Sequence, residues 1–167
     1  FFGVAMPLVK YGLPIHPVQL DNVRRFAGYL EDYKCLVLSY EYMKPDAPDV
    51  NAAVVSWIRE GGTLIYVGDG SDPFHKIDAW WGQRGYANPA EHLFELAGLG
   101  RDPKEGVHEV GAGKIVVWKE LPARICLSKE LADQYRSLVQ KTLADIGITW
   151  TYRNDLTLHR GPYVISS

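Results

Sequence analysis

The chain has 167 residues, 18 Lys and Arg against 20 Asp and Glu, and a formal net charge of −2, a size that fits about one domain. With 47% hydrophobic and 23% charged residues it reads as an ordinary globular sequence, and Arg24-Arg25 is its only adjacent basic pair, which excludes a general electrostatic pull toward nucleic acid or anionic membrane. No apolar run approaches the ~20 residues needed to span a bilayer, so neither a membrane nor a nucleic acid is expected as a partner.

The start, FFGVAMPL, has no initiator Met and no basic n-region, so no signal peptide is expected. Phe1–Tyr11 reads as a helix already under way, with Phe2, Ala5, Met6, Leu8 and Val9 on one face and Gly12 as its stop. Pro7 inside it implies a kink or a late helix start. The prolines of Leu13–Leu20 suit an edge or irregular strand. Asp21 or Asn22 caps a predicted short helix running to about Leu30.

Tyr33–Asp69 is the most informative stretch. An apolar run (Cys35–Leu38, within Lys34–Ser39) leads through the turn-rich connection Glu41–Asp49. A helix follows, with Asp49 as N-cap and Val50, Val54, Val55, Trp57 and Ile58 on its apolar face. Gly61-Gly62 closes it before a second apolar run, Thr63–Val67. Continuous apolar runs around a helix predict a βαβ unit with parallel strands buried on both faces. Gly68–Asn88 reads as a long irregular loop, and loops of ~20 residues are often functional. Pro89 opens a short helix through Leu99, ended by Gly100. Gly106–Glu120 reads as two strands around Gly111-Ala112-Gly113. Ser128 caps a helix to about Ile146, with Leu131, Tyr135, Leu138, Val139, Leu143 and Ile146 on one face, and Gly147 stops it. From Thr149 the pattern alternates, as in the first hairpin of an antiparallel module. GPYVISS is a strand without a closing turn, so the chain reads as part of a longer polypeptide and leaves its compartment undefined.

Open α/β sheets bind ligands outside the carboxyl ends of their strands, which directs attention to Ser39–Tyr42 and Gly68–His75. Asp69, Ser71, Asp72 and His75 follow the second core strand. Paired carboxylates there suit acid–base work or a divalent cation, while Asp and Ser beside Gly and Pro are also normal turn formers. Glu41, between Tyr40 and Tyr42, ends the first core strand near that loop. Trp80, Trp81 and Tyr86, with Phe74, make the loop a contact surface, either stacking on a sugar ring or packing as a lid or interface.

Other motifs fall away. Cys35 lies within a strand without a nucleophile elbow or base, and Cys35 and Cys126, both in apolar runs, read as buried free thiols. His16, His92, His108 and His159 have no HxxxH spacing. GAGK (Gly111–Lys114) lacks the phosphate-loop pattern and leads into a strand. No catalytic set, metal or cofactor is expected from motif spacing.

The order of motifs, YGLPIHPV, LEDYKCLVLSYEYM, VSWIREGGTLIYVGD and VGAGKIVVWKE, resembles the trimerisation domain of family-42 β-galactosidases and related glycoside hydrolases. Over roughly residues 3–148 it matches that domain's strand after the first helix, its YKVLVLP strand, its GGTLV corner and its GKGKVVYL strand. It departs at Ser39, where the pattern has Pro, and in the aromatic loop Phe74–Tyr86. The resemblance implies an α/β, flavodoxin-like (class I glutamine amidotransferase-like) three-layer sandwich over residues 1–148 with a mainly parallel sheet, followed from residue 149 by a β-rich module. It also implies a catalytically silent domain. The amidotransferase cysteine is absent, and the catalytic carboxylates of such enzymes belong to a separate TIM barrel.

The expected role is therefore an accessory or assembly domain of a multidomain carbohydrate-active enzyme, with the TIM barrel and β-sandwich of its parent chain, a second copy of itself, or carbohydrate as partners. Two alternatives stay open. One is a stand-alone hydrolase or transferase using Glu41, Asp69, Asp72 or His75. The other is a small-ligand-binding flavodoxin-like domain, disfavoured because no Gly-rich loop opens a helix.

Overall fold

The computed structural model describes residues 2–153, 155 and 157–166, with the backbone alone for 158–160. Phe1 and the His159 side chain, both named above, lie outside what is described. Two compact units form, Gln19–Leu121 and Phe1–Val18 with Pro122–Ser167.

Gln19–Leu121 is an α/β unit. Its strands β1 (Cys35–Leu38), β2 (Thr63–Val67), β3 (Gly106–Val110) and β4 (Gly113–Trp118) make an open sheet of order β1-β2-β4-β3. β2 runs parallel to both β1 and β4, and β3 closes the far edge antiparallel to β4. Every residue of the central strand β2 is buried, as its unbroken apolar sequence requires. Helix α2 (Pro48–Arg59) makes the crossover, and Val50, Val54, Val55, Trp57 and Ile58 are all buried on it. It starts two residues earlier than expected. Pro48, whose fixed φ suits a first turn, follows Ala47 as N-cap, and Asp49 lies inside the first turn, paired with Arg24 Nε at 3.0 Å.

The far end of α2 explains the GAG turn. Ala112 N–H donates to Arg59 O at 2.9 Å and Lys114 N–H to Gly62 O at 3.2 Å. The β3–β4 hairpin thus satisfies the Arg59 carbonyl at the end of a helix some 50 residues earlier, a group that a helix cannot pair internally, and the Gly62 carbonyl just ahead of β2. The approach is close enough to require glycine. A Cβ on Gly113 would stand 2.1 Å from Ile58 O and 2.2 Å from Gly62 O, and one on Gly62 would stand 2.3 Å from the Trp57 ring.

Several expectations change. Leu13–Leu20 forms no strand, since Pro14 and Pro17 lack the N–H groups a ladder needs. The helix expected to Leu30 is a 3₁₀ turn at Leu20–Arg24, after which Gly28 takes φ +70. The Gly68–Asn88 loop carries a 3₁₀ turn (Pro73–Lys76) and a one-turn helix α3 (Trp80–Gln83). Helix α4 (Pro89–Leu96) ends before Leu99, with Gly98 at φ +85.

The other unit holds α1 (Met6–Val9), α5 (Pro122–Leu127) and α6 (Lys129–Asp145), with the antiparallel hairpin β5 (Thr157–Arg160) and β6 (Tyr163–Ser166). α1 starts late because Pro7 fits only its first turn. Ser128 Oγ caps α6 by accepting from Leu131 N–H at 3.2 Å. Tyr135, Val139 and Leu143 are buried on the expected face, and Tyr135 Oη donates to Val4 O at 2.9 Å. Helix α5 was not legible in the sequence, and it leaves Cys126 exposed rather than buried. Cys35 is half-buried, its thiol pushed up to about 11 by burial, with Lys114 opposing. Among the described residues no helix is long and apolar enough to cross a membrane.

Gly113→Ala is expected to destabilise by about 1–3 kcal/mol or more, because the new methyl meets backbone that cannot yield. Gly82→Ala, where a Cβ meets nothing within 4 Å, is the matched control and should change stability by less than about 1 kcal/mol. Urea unfolding of the two variants measures both.

Candidate functional site

Because β1 and β2 pair in parallel, with Leu38 opposite Tyr66, the loops that leave them emerge at the same end of the sheet. Glu41 and Asp72, 31 residues apart in sequence, meet there. Glu41 is buried, its side chain fully. Its Oε1 accepts from Gly70 N–H at 2.8 Å and its Oε2 from Asp72 N–H at 3.1 Å. The carboxylate of one loop thus organises the backbone of the other.

Asp72, equally buried, reciprocates. Its Oδ1 accepts from Phe74 N–H at 2.9 Å, capping the 3₁₀ turn, and its Oδ2 accepts from Tyr42 N–H at 2.6 Å and from Lys44 Nζ. To deliver that amide Tyr42 takes φ +65, the one positive φ among the described non-glycine residues. Such a conformation costs an ordinary side chain about 1–2 kcal/mol and persists only where its surroundings enforce it. Burial pushes the Asp72 carboxyl up, but the Lys44 ammonium and the two backbone donors outweigh it and hold its pKa below the usual value.

His75 completes the cluster. Its backbone is fully engaged: its N–H donates to Asp72 O at 3.0 Å, and its carbonyl accepts from Trp81 Nε1–H at 2.8 Å. Its ring is buried, yet neither nitrogen has a hydrogen-bond partner. Nε2 lies 3.5 Å from Glu41 Oε2, beyond hydrogen-bond geometry. Burial lowers the pKa of the imidazole, against the pull of Glu41, which favours the charged form.

Of the residues the sequence offered at the strand tips, the structure brings Glu41, Asp72 and His75 together, and Lys44, which carried no signal inside a turn-rich connection, joins them. Asp69 stays outside the cluster. It is exposed, its Oδ1 accepts from Ser71 N–H at 2.9 Å, and it lines a cleft of about 90 Å³ with Gly68, Asn88, Arg101 and Lys119. A pocket for a small organic ligand is typically ~300–1,000 Å³, so the cleft is too small for a sugar ring with its contacts.

The aromatic residues fold down. Trp81 is buried, and Trp80 is half-buried with its Nε1–H donating to Pro45 O at 2.9 Å. Trp80 packs edge-on against Trp81 and His92, and Tyr86 packs on His92 with the Arg101 guanidinium over the Tyr86 ring, 4.6 Å from its centre. A platform for sugar stacking needs an open ring face, and Trp81 has none. Beneath the loop, buried Asn51 accepts from Tyr40 Oη and donates to Pro89 O at 2.8 Å, with His92 Nδ1 3.1 Å away. Neither Asn51 nor His92 was legible as a network member, since α2 and α4 bring them together. Phe74, Tyr42, Met43 and Ile77 remain exposed around the cluster.

No family model, no curated protein and no solved structure matches this chain.

The site predicts an acid-sensitive fold, with both groups acting in one direction. The fold favours neutral His75, so the unfolded chain takes up that proton first. Stability therefore falls as pH drops below the ordinary value of 6.5 toward the lower folded value. The Asp72 contribution is present above the ordinary 3.8 and is lost as pH falls through its lower folded value. Melting followed by circular dichroism between about pH 8 and pH 3 should show two successive declines. His75→Gln should shrink the upper one, leaving the share of His92, whose pKa burial also lowers. Asp72→Ala should cost about 1–3 kcal/mol at neutral pH, because it leaves the Tyr42 and Phe74 N–H groups without their acceptor.

Proposed function

We propose that this chain is a non-catalytic accessory or assembly domain of a multidomain, glycoside-hydrolase-like enzyme, with the class I glutamine amidotransferase-like version of the flavodoxin-like sandwich. The observation that carries the non-catalytic part is the fate of the strand-tip acids. Every oxygen of Glu41 and Asp72 already accepts a backbone N–H, and both side chains are sealed from solvent. A general acid or base must come within hydrogen-bond reach of its substrate, and these two serve the fold instead. The carbohydrate context is supported by the order of motifs alone, from YGLPIHPV to VGAGKIVVWKE.

On this reading the domain contributes surface, not chemistry. Contacts with a neighbouring domain or a second copy would not centre on Trp80 and Trp81, which are largely consumed internally. Tyr42, Met43, Phe74 and Ile77, all at least half exposed, offer the apolar area at this end of the sheet instead. A stand-alone hydrolase would have to work through Asp69, the solvent-reached acid at these strand tips.

Asp69→Asn separates the two. In the parent enzyme it should leave kcat/KM for a glycoside within about threefold of wild type, whereas a loss near ~10³-fold would favour the hydrolase reading. Sedimentation of the same protein should show a defined oligomer or an interdomain-packed species that Met43→Asp weakens. A freely monomeric species indifferent to that substitution would count against the assembly role.

A further inference from the structure

The cluster of Glu41, Asp72 and His75 has a feature that a purely structural account leaves unexplained. Two fully buried carboxylates are offset by one ammonium, that of Lys44, and the third neighbour is an imidazole with no hydrogen bond at either nitrogen, only a long contact from Nε2 to Glu41 Oε2. A buried polar group without a hydrogen bond is costly, and native proteins rarely leave one without a water, an ion or a function. One ligand atom from each of the three residues can be chosen so that all lie within 4.8 Å of one another. The separation of His75 Nε2 from Glu41 Oε2, 3.5 Å, is long for a hydrogen bond. It is, however, the edge of a tetrahedron: two ligands at zinc-to-nitrogen and zinc-to-oxygen distances stand about 3.3–3.6 Å apart.

We propose that Glu41, Asp72 and His75 form a binding site for a first-row transition-metal dication such as Zn²⁺, which clasps the loops after β1 and β2 together. One imidazole nitrogen with two carboxylates is a borderline donor set, suited to Zn²⁺ or its neighbours rather than to Mg²⁺ or Ca²⁺, which take oxygen ligands. The fourth position falls to water or to a second carboxylate oxygen. No covalent or redox change is involved: the dication enters, and the Lys44 ammonium leaves Asp72 Oδ2. Lys44 has a route out, since its flexible stem already carries Nζ to 5.9 Å from the exposed Phe74 ring. The ammonium and the metal are alternative counter-charges for one carboxylate. The backbone donors of Gly70, Asp72, Phe74 and Tyr42 remain as outer support, holding the carboxylates in orientation.

The spacing rules that dismissed a zinc site looked for ligands close in sequence. Here the ligands come from two loops far apart in sequence that strand pairing brings to one end of the sheet. The inference is independent of the assembly role, since a metal clasp serves a silent domain and a catalytic one equally.

The test is titration of the metal-stripped chain with Zn²⁺ against a chromophoric chelator, and with Co²⁺ while recording its visible absorption. One equivalent should bind, raise the melting temperature, and be unaffected by excess Mg²⁺. His75→Ala should weaken Zn²⁺ binding by at least the ~10–100-fold that loss of a supporting residue costs, and should change the Co²⁺ spectrum. Lys44→Met, which keeps all three ligands, should strengthen binding by about tenfold, because it removes the competing charge. Absence of stoichiometric binding by the wild-type chain overturns the proposal whether or not any variant folds. So does binding that is unchanged in His75→Ala and Lys44→Met, which would place the ion on surface acids.

Discussion

The hydrogen bonds from Gly70 and Asp72 N–H to the Glu41 carboxylate set the geometry of everything at this end of the sheet. Parallel pairing of β1 with β2 brings the two loops near each other, but pairing stops at the strand ends, and the loops would otherwise diverge. A buried carboxylate is costly unless its oxygens are satisfied. Here the backbone of the neighbouring loop satisfies them, and in doing so fixes the direction in which Asp72 enters. Asp72 then returns the favour by gathering Tyr42 N–H, Phe74 N–H and Lys44. The strained φ of Tyr42 is the visible cost of that closure. Charge-assisted bonds to backbone donors are about twice as strong as neutral ones, which is why the closure holds.

From this clamp the long loop beyond β2 acquires its order. The Asp72 cap starts the 3₁₀ turn, the turn presents the His75 carbonyl, and that carbonyl receives the Trp81 indole N–H. Trp80 reaches back to Pro45 and lies against His92, whose Nδ1 faces Asn51 on α2. A segment of some 20 residues with little regular structure is thereby tied down by side-chain bonds to backbone, each replacing a ladder or helix bond the loop lacks. The same ties consume the groups that would otherwise be available to a substrate. The His75 ring is the exception, left without a hydrogen bond at either nitrogen.

The corner opposite, at the amino end of β4, obeys a different constraint. There the β3–β4 turn covers the carboxyl end of α2, and backbone meets backbone with no space for a side chain. Gly62 and Gly113 are therefore steric requirements, not flexible hinges. One end of the sheet is closed by absence of side chains, the other by two fully buried ones.

The α/β character of the chain was legible because it depends on composition over short windows. Continuous apolar strands, the spacing of Val50, Val54, Trp57 and Ile58, and the glycines and prolines at helix ends each express a local preference that the fold does not oppose. Local preference misled where it was weak or divided. Proline-rich Leu13–Leu20 could not pair, Pro48 displaced Asp49 as the start of α2, and α5 had too short a pattern to notice, which left Cys126 misplaced. Glu41, Asp72 and His75 were legible as strand-tip residues because the βαβ pattern names its own strand ends. Their mutual contacts were not, nor was the part of Lys44, Asn51 or His92, because each depends on which strands are neighbours and in what register. By itself the sequence determined where the strands and helices lie and which loops they send to one end. Only the tertiary structure decided that the acids there face inward to backbone amides, because burial and pairing are properties of segments brought together from distant parts of the chain.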